Sequence, residues 1–332
     1  MNIPEAEELK KHWRRAIAPY QKSDTRTSLR QLASSILPYL ALWALMVWSL
    51  EISYWLTLLL AIPTAGFLMR IFIIFHDCGH GSFFKTTRAN AVVGFITGTL
   101  VFTPYERWRH DHAIHHATAG NLDRRGVGDV PTWTLKEFQT APRWKRLLYR
   151  FIRNPIVLFI LSPIPLFVIS YRFINPKDGK REKLSVLYTD LALLGILLLA
   201  HFTIGLKAYL LVQITVMWLA GSVGEWMFYV QHQFPGVYWT RQGEWDYMVS
   251  AMRGASYYKL PKVLQWFSGN IGFHHIHHLG PKVPNYYLEK CHTFNPIFHS
   301  AYTLTPLASL RCMSLKLWDE QSQKLVGYSS LK

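Results

Sequence analysis

The sequence predicts an all-α membrane protein: four transmembrane helices arranged as two hairpins, a helical cytoplasmic cap, and short re-entrant or interfacial helices. Three observations carry this. Apolar residues concentrate in two pairs of long blocks, positive charge flanks one end of each pair, and dense histidine clusters begin where the blocks stop.

Taken in order, the N-terminal stretch MNIPEAEELKKHWRR is charged and polar well past the point where the apolar core of a cleavable signal peptide begins. Residues 1–34, which carry Lys10, Lys11, Arg14 and Arg15, are expected on the cytoplasmic side. Two apolar blocks follow almost without pause, at residues 35–50 and 54–75, and a second pair covers 187–204 and 209–230. A span takes roughly 20 apolar residues, and a few residues join each pair, so each reads as a hairpin, at about 35–75 and about 187–230. The mean hydropathy of +0.08 is too low for a chain that is all membrane, which leaves 76–186 and 231–332 largely facing water. No repeat or low-complexity linker divides the chain, so residues 1–332 are expected to form a single domain. Two further apolar stretches, 91–102 and 155–171, are expected to be re-entrant or interfacial. The first is too short to span, and the second carries Pro163 and Pro165 and would export the basic RFINPKDGKREK segment if it crossed alone.

Charge sets the orientation. Near the hairpin tips only Glu51 and Lys207 are charged, whereas Lys10, Lys11, Arg14, Arg15, Arg172, Lys177, Lys180, Arg181 and Lys183 flank the opposite ends. Positive residues remain in the cytoplasm, so both hairpins enter and leave from that side and both termini are cytoplasmic. The net charge of +16 suits anionic lipid headgroups and acidic soluble partners. Nucleic acid is not expected as a partner, because no nucleic-acid module is present and the basic residues sit beside spans. The three cysteines, Cys78, Cys291 and Cys312, form no CxxC and suggest neither a disulfide framework nor a thiolate site.

The histidines emerge on one face. HDCGH (76–80) begins where the second block ends, HDHAIHH (110–116) follows the short apolar stretch, His232 ends the fourth block, and HHIHH (274–278) follows it. His76 and His80 are four apart. His112, His115 and His116, and again His274, His277 and His278, stand at i, i+3 and i+4. Each set comes to one side of a helix and can aim its lone pairs at one point. His110 and His275 fall outside these patterns. With His232 the matching imidazoles number nine, too many for one ion. Two ions with four or five imidazoles apiece, each keeping an open position, fit, and a nitrogen-only shell suits iron, copper or zinc.

These boxes, HxxxH, HxxHH and HxxHH, resemble those of the membrane fatty acid desaturases. RIFIIFHDCGHGSFFK, HAIHHATAGNLDRRGVGD, FYVQHQF and YYKLPKVLQWFSGNIGFHHIHHLGPKVPNY are similar to the bacterial acyl-lipid members, with the bacillar phospholipid Δ5 type nearest. The resemblance implies an O2-dependent enzyme of the cell membrane that puts a cis double bond into phospholipid acyl chains. It implies two non-haem iron ions held by His76, His80, His112, His115, His116, His274, His277 and His278, with His232 as a further ligand. Such chemistry needs a metal, because no amino-acid acid or base removes hydrogen from an unactivated methylene. The chain has no GxGxxG, P-loop or haem-binding HPGG, so electrons are expected from a separate ferredoxin or flavodoxin.

Around the ligands, Asp77, Asp111, Asp123 and Asp129 are candidates to accept imidazole N–H groups. Glu225, two turns before His232, is expected to support the ligands from behind. Trp133, Trp226, Trp239 and Trp266 are candidates to line an acyl channel, and Arg70 to reach lipid phosphates. A di-iron hydroxylase of alkanes, lipids or carotenoids shares the same boxes. A metal transporter would instead place histidines at mid-bilayer depth, and a zinc hydrolase lacks its HExxH.

Overall fold

The structure is a computed structural model that describes residues 3–331. After α1 (Ile3–Ile17), the first hairpin is formed by α2 (Thr25–Ser49) and α3 (Tyr54–His80). Both helices start at a side-chain cap: Asp24 accepts from the Thr27 amide at 2.6 Å and Ser53 from the Trp55 amide at 3.2 Å. Gly81 ends α3 at φ 63°, where a Cβ would be strained, and turns the chain sharply after the first histidine pair. The helices α4 (Thr87–Leu100) and α5 (Tyr105–Thr118) follow, then the short α6 (Leu135–Thr140) and α7 (Arg143–Ile152). The second hairpin is α8 (Lys180–Thr203) and α9 (Leu206–His232), and the cap is completed by α10 (Tyr247–Arg253), α11 (Lys262–Phe267), α12 (His274–Leu279) and α13 (Asn285–Thr293). Sheet is confined to fragments: Trp133–Thr134 runs parallel to Leu317–Asp319, which pairs antiparallel with Lys324–Val326.

Among the described residues, α2, α3, α8 and α9 are the four helices long and apolar enough to cross a membrane. The first and third begin at Thr25 and Lys180 rather than at residues 35 and 187, because their polar first turns continue the helix beyond the apolar stretch. Leu37, Trp48, Trp55, Leu59, Leu199 and Phe202 point outward from the hairpins with more than half their surface open. Such a continuous apolar exterior is what lipid, not water, accommodates. The protein is an all-α, multi-pass membrane protein.

The central helix is α3, packed on α2, α4 and α9. Its last three turns carry Ile71, Ile74, Phe75 and Cys78, all fully enclosed, which fixes the rotation that presents His76 and His80. Residues 155–171 are neither a span nor an ordinary helix: they form two wide π-helical turns, Val157–Leu161 and Ile164–Ile169. Pro163 and Pro165 lack the N–H groups that regular winding needs. The Ile160 carbonyl, one of those left over, accepts instead from the Trp218 indole on α9 at 2.7 Å. The segment is thereby pinned along α9 as a wall. Behind it, the buried Arg153 guanidinium donates to Gln233 and to the Leu315 carbonyl, each at 2.9 Å, tying α7 to the cap.

Candidate metal centre

Four helices bring the histidines together. α3 contributes His76 and His80, α5 contributes His112, His115 and His116, the end of α9 contributes His232, and α12 contributes His274, His277 and His278. They converge as two groups rather than one. Nε2 atoms of His76, His112, His116 and His277 form a closed quadrilateral with sides of 3.1, 3.1, 2.9 and 3.0 Å. The His80 ring stands over it, 4.7–4.9 Å from each of the four ring centroids. In the second group, Nε2 of His274 lies 2.9 Å from that of His232 and 3.2 Å from that of His278, and His115 closes the cluster.

The two HxxHH sets therefore do not each aim at one point, as the spacing had suggested. Residues four apart on a helix differ by about 40° in direction, but adjacent ones differ by about 100°. Accordingly His112 and His116 share the first group while His115 turns into the second, and His274 and His278 share the second while His277 turns into the first. Each HxxHH box contributes to both groups, which locks them side by side.

The donor set fits metal ions. Burial, and then the neighbouring imidazoles, push His112, His116, His274, His277 and His278 well below their usual range, so these rings are neutral and hold lone pairs at neutral pH. The buried Nε2 atoms of His80 and His115 have no hydrogen-bond partner. Two ligands bound at right angles about 2.1 Å from one ion stand about 3.0 Å apart, whereas tetrahedral ligands stand about 3.4 Å apart. With neighbouring Nε2 atoms 2.9–3.1 Å apart, His76, His112, His116 and His277, together with His80, could hold one ion.

The outer nitrogens are held. Asp77 accepts from His76 Nδ1 at 3.2 Å and is itself fixed by the Asn285 amide and side chain at 2.7 and 2.8 Å. Asp129 faces His115 Nδ1 at 2.9 Å, and the Gly254 carbonyl accepts from His232 Nδ1 at 3.1 Å. Such partners orient a ligating ring, and losing one typically costs about 10–100-fold in metal affinity or activity. Asp129→Ala is expected to lower turnover by about that factor with normal membrane insertion. Turnover at the wild-type level would show that His115 needs no anchor.

Other candidates lie elsewhere. Asp123 is exposed and paired with Arg241 at 2.7 Å, away from the imidazoles. Asp111 lines the cavity described below rather than holding one of the clustered imidazoles, its carboxyl pushed up by burial. Glu225 accepts from Ser162 at 2.6 Å on the cavity wall rather than backing a ligand. His110 is on the surface beside Glu182, and His275 pairs with His292 at 3.1 Å, outside both groups. None of Trp133, Trp226, Trp239 and Trp266 lines the cavity: Trp133 stacks on Tyr149, Trp226 packs on Phe159, Trp239 is core, and Trp266 lies under Arg70 at 3.9 Å. That stacking, with a hydrogen bond to the Trp266 carbonyl, gives the buried Arg70 its partners within the protein. The tryptophan at the site is Trp108, stacked on His112 at 4.3 Å. Its place four residues before His112 on one helix face was the signal available for it.

A cavity of about 750 Å³ runs from the two groups between α3, α9 and the 155–171 wall. His76, His112 and His274 are among its lining, as are the apolar Leu68, Met69, Phe72, Phe159, Leu166 and Phe228.

The family model described as fatty acid desaturase matches residues 53–303. A fatty acid desaturase of Bacillus subtilis is 44% identical over 316 residues, covering 95% of this chain and 90% of its own. An sn-1 oleoyl-lipid 12-desaturase of Synechocystis is 27% identical, covering 69% of this chain and 65% of its own. An sn-1 acyl-lipid omega-3 desaturase (ferredoxin) of Nostoc is 27% identical, covering 66% and 62%. With that match across the spans and the histidine-bearing cap together, the chain belongs to the fatty acid desaturase family of oxidoreductases.

Proposed function

We propose that the protein is an O2-dependent acyl-lipid desaturase that introduces a cis double bond into membrane phospholipid acyl chains, with one non-haem iron ion in each imidazole group. The observation that carries this is that both groups face one apolar cavity: His76 and His112 from the first and His274 from the second are part of its lining. A volume of about 750 Å³ lies within the roughly 300–1,000 Å³ of small-molecule sites. A buried, nitrogen-only donor set of this size is compatible with iron.

Iron held there by the imidazoles would supply the means to reduce dioxygen to two waters, using two electrons from the carrier, two protons from solvent and two hydrogen atoms from the substrate. The rest falls to the chain. Nine imidazoles bring no charge to offset that of the metal. Leu68, Met69, Phe72 and Phe159 exclude water and hold a methylene pair against the histidines, so that geometry selects the carbons. Asp77 and Asp129 keep the N–H of His76 and His115 directed outward, leaving Nε2 for the metal.

The protein sits in the cell membrane with both termini and the histidines cytoplasmic, a reading supported by the positive charge at that end of the hairpins. Electrons arrive from a separate ferredoxin or flavodoxin. The net charge of +16 suits an acidic carrier, and one relative carries ferredoxin in its name. The test is gas chromatography and mass spectrometry of lipids from cells expressing the protein with and without oxygen. Oxygen-dependent monounsaturated chains are expected, and the position of their double bond identifies the carbons attacked. Hydroxylated chains in their place would make the enzyme a hydroxylase.

A further inference from the structure

We propose that α7 carries a binding site for the headgroup phosphate of an anionic phospholipid, formed by Arg143, Arg146 and Arg150 and separate from the acyl cavity. The sequence RWKRLLYRFI divides into three faces when wound at 100° per residue. Tyr149 turns inward, is buried, and donates to the Lys316 carbonyl at 2.6 Å, which anchors the helix. Trp144, Leu147 and Phe151 point outward, 62, 58 and 60% exposed, with Leu148 beside them. This apolar strip continues into the exposed Ile156, Ile160 and Leu161 of the wall along α9. A helix with an aromatic and leucine face flanked by arginines lies in the plane of a membrane surface, at the depth of the headgroups.

The arginines occupy the third face. Arg143, Arg146 and Arg150 line a recess of about 410 Å³ together with Gln139, Phe138 and Leu331. None of the three forms an ion pair among the described residues, and no acidic residue lines the recess. By contrast Arg125, Arg172 and Arg241 each hold a carboxylate. The Arg150 guanidinium lies 4.8 Å from the Tyr328 ring and 5.6 Å from that of Phe138. These rings border the guanidinium while no carboxylate among the described residues pairs with it. Three guanidiniums around one recess repel each other unless an anion joins them, and a phosphate accepts their paired donors. The occupant is a lipid rather than a soluble phosphate, because the adjoining apolar strip must lie among acyl chains when the recess is filled.

Binding is read by native mass spectrometry of the detergent-purified full chain, titrated with phosphatidylglycerol or with phosphatidylcholine of the same acyl chains. The assay needs no turnover, so it stands whatever reaction the cavity performs. One phosphatidylglycerol is expected to bind at least about tenfold more tightly than phosphatidylcholine, since each basic residue near an anionic lipid contributes about fivefold. The R143Q/R146Q/R150Q variant should lose that preference, and R146Q alone should lose about fivefold if the triple variant does not purify. A K136Q/K177Q variant, which removes exposed charge outside the recess, should keep it. Equal affinity of the wild type for the two lipids, retention of the preference in the arginine variants, or an equal loss in the lysine variant would overturn the site. Displacement of the lipid by millimolar glycerol phosphate would overturn its assignment to a membrane lipid.

Discussion

Replacing His277 with alanine is expected to abolish desaturation while the protein still inserts in the membrane. His277 Nε2 stands 3.0 Å from that of His76 and 2.9 Å from that of His116, so it completes the quadrilateral of the first group. Its loss opens one side of that group and leaves the second group, to which it gives no nitrogen, unchanged. Since removing a group behind a ligand already costs about 10–100-fold, removing the ligand should cost more than about a hundredfold. Metal analysis should show iron falling from about two per chain to about one, which separates lost chemistry from a lost fold. Full activity in the variant would remove His277 from the ligands and break the division into two groups.

Gly224→Phe is expected to do the reverse: activity on long acyl chains falls at least about tenfold while iron content stays at the wild-type level. Gly224 lines the cavity on α9, eight residues and therefore about 12 Å along the helix from His232. A Cβ at this position meets only Met69 Sδ at 3.8 Å, so the backbone accepts a side chain and the ring extends into the cavity. An acyl chain passing that point is blocked without any ligand moving. Chains short enough to end before it should lose less, and turnover of short and long chains by the variant reports the difference. Unchanged turnover of long chains would place the substrate outside this cavity.

The spans were legible because bilayer thickness fixes their length and lipid tolerates no polar exterior, so residues 35–75 and 187–230 read as hairpins without tertiary information. The histidine boxes were legible because i, i+4 spacing survives any packing. The division of each HxxHH set was also present in the 100° between neighbours such as His115 and His116. What was missing was the knowledge that α5 and α12 face each other across two centres. Residues 155–171 were placed at the interface, but their role as cavity wall was not readable. It depends on Trp218, distant in sequence, accepting the task of satisfying the Ile160 carbonyl. The carboxylates divide for a similar reason. Asp77 and Asp129 find imidazoles, whereas Asp123 finds Arg241 across more than a hundred residues, a pairing that nothing local announces.

The proposal of two iron ions is tested most directly by anomalous X-ray scattering at the iron edge from crystals of the iron-loaded protein. Two peaks are expected: one enclosed by His76, His80, His112, His116 and His277, the other by His115, His232, His274 and His278. A single peak, or a peak away from these imidazoles, would contradict it.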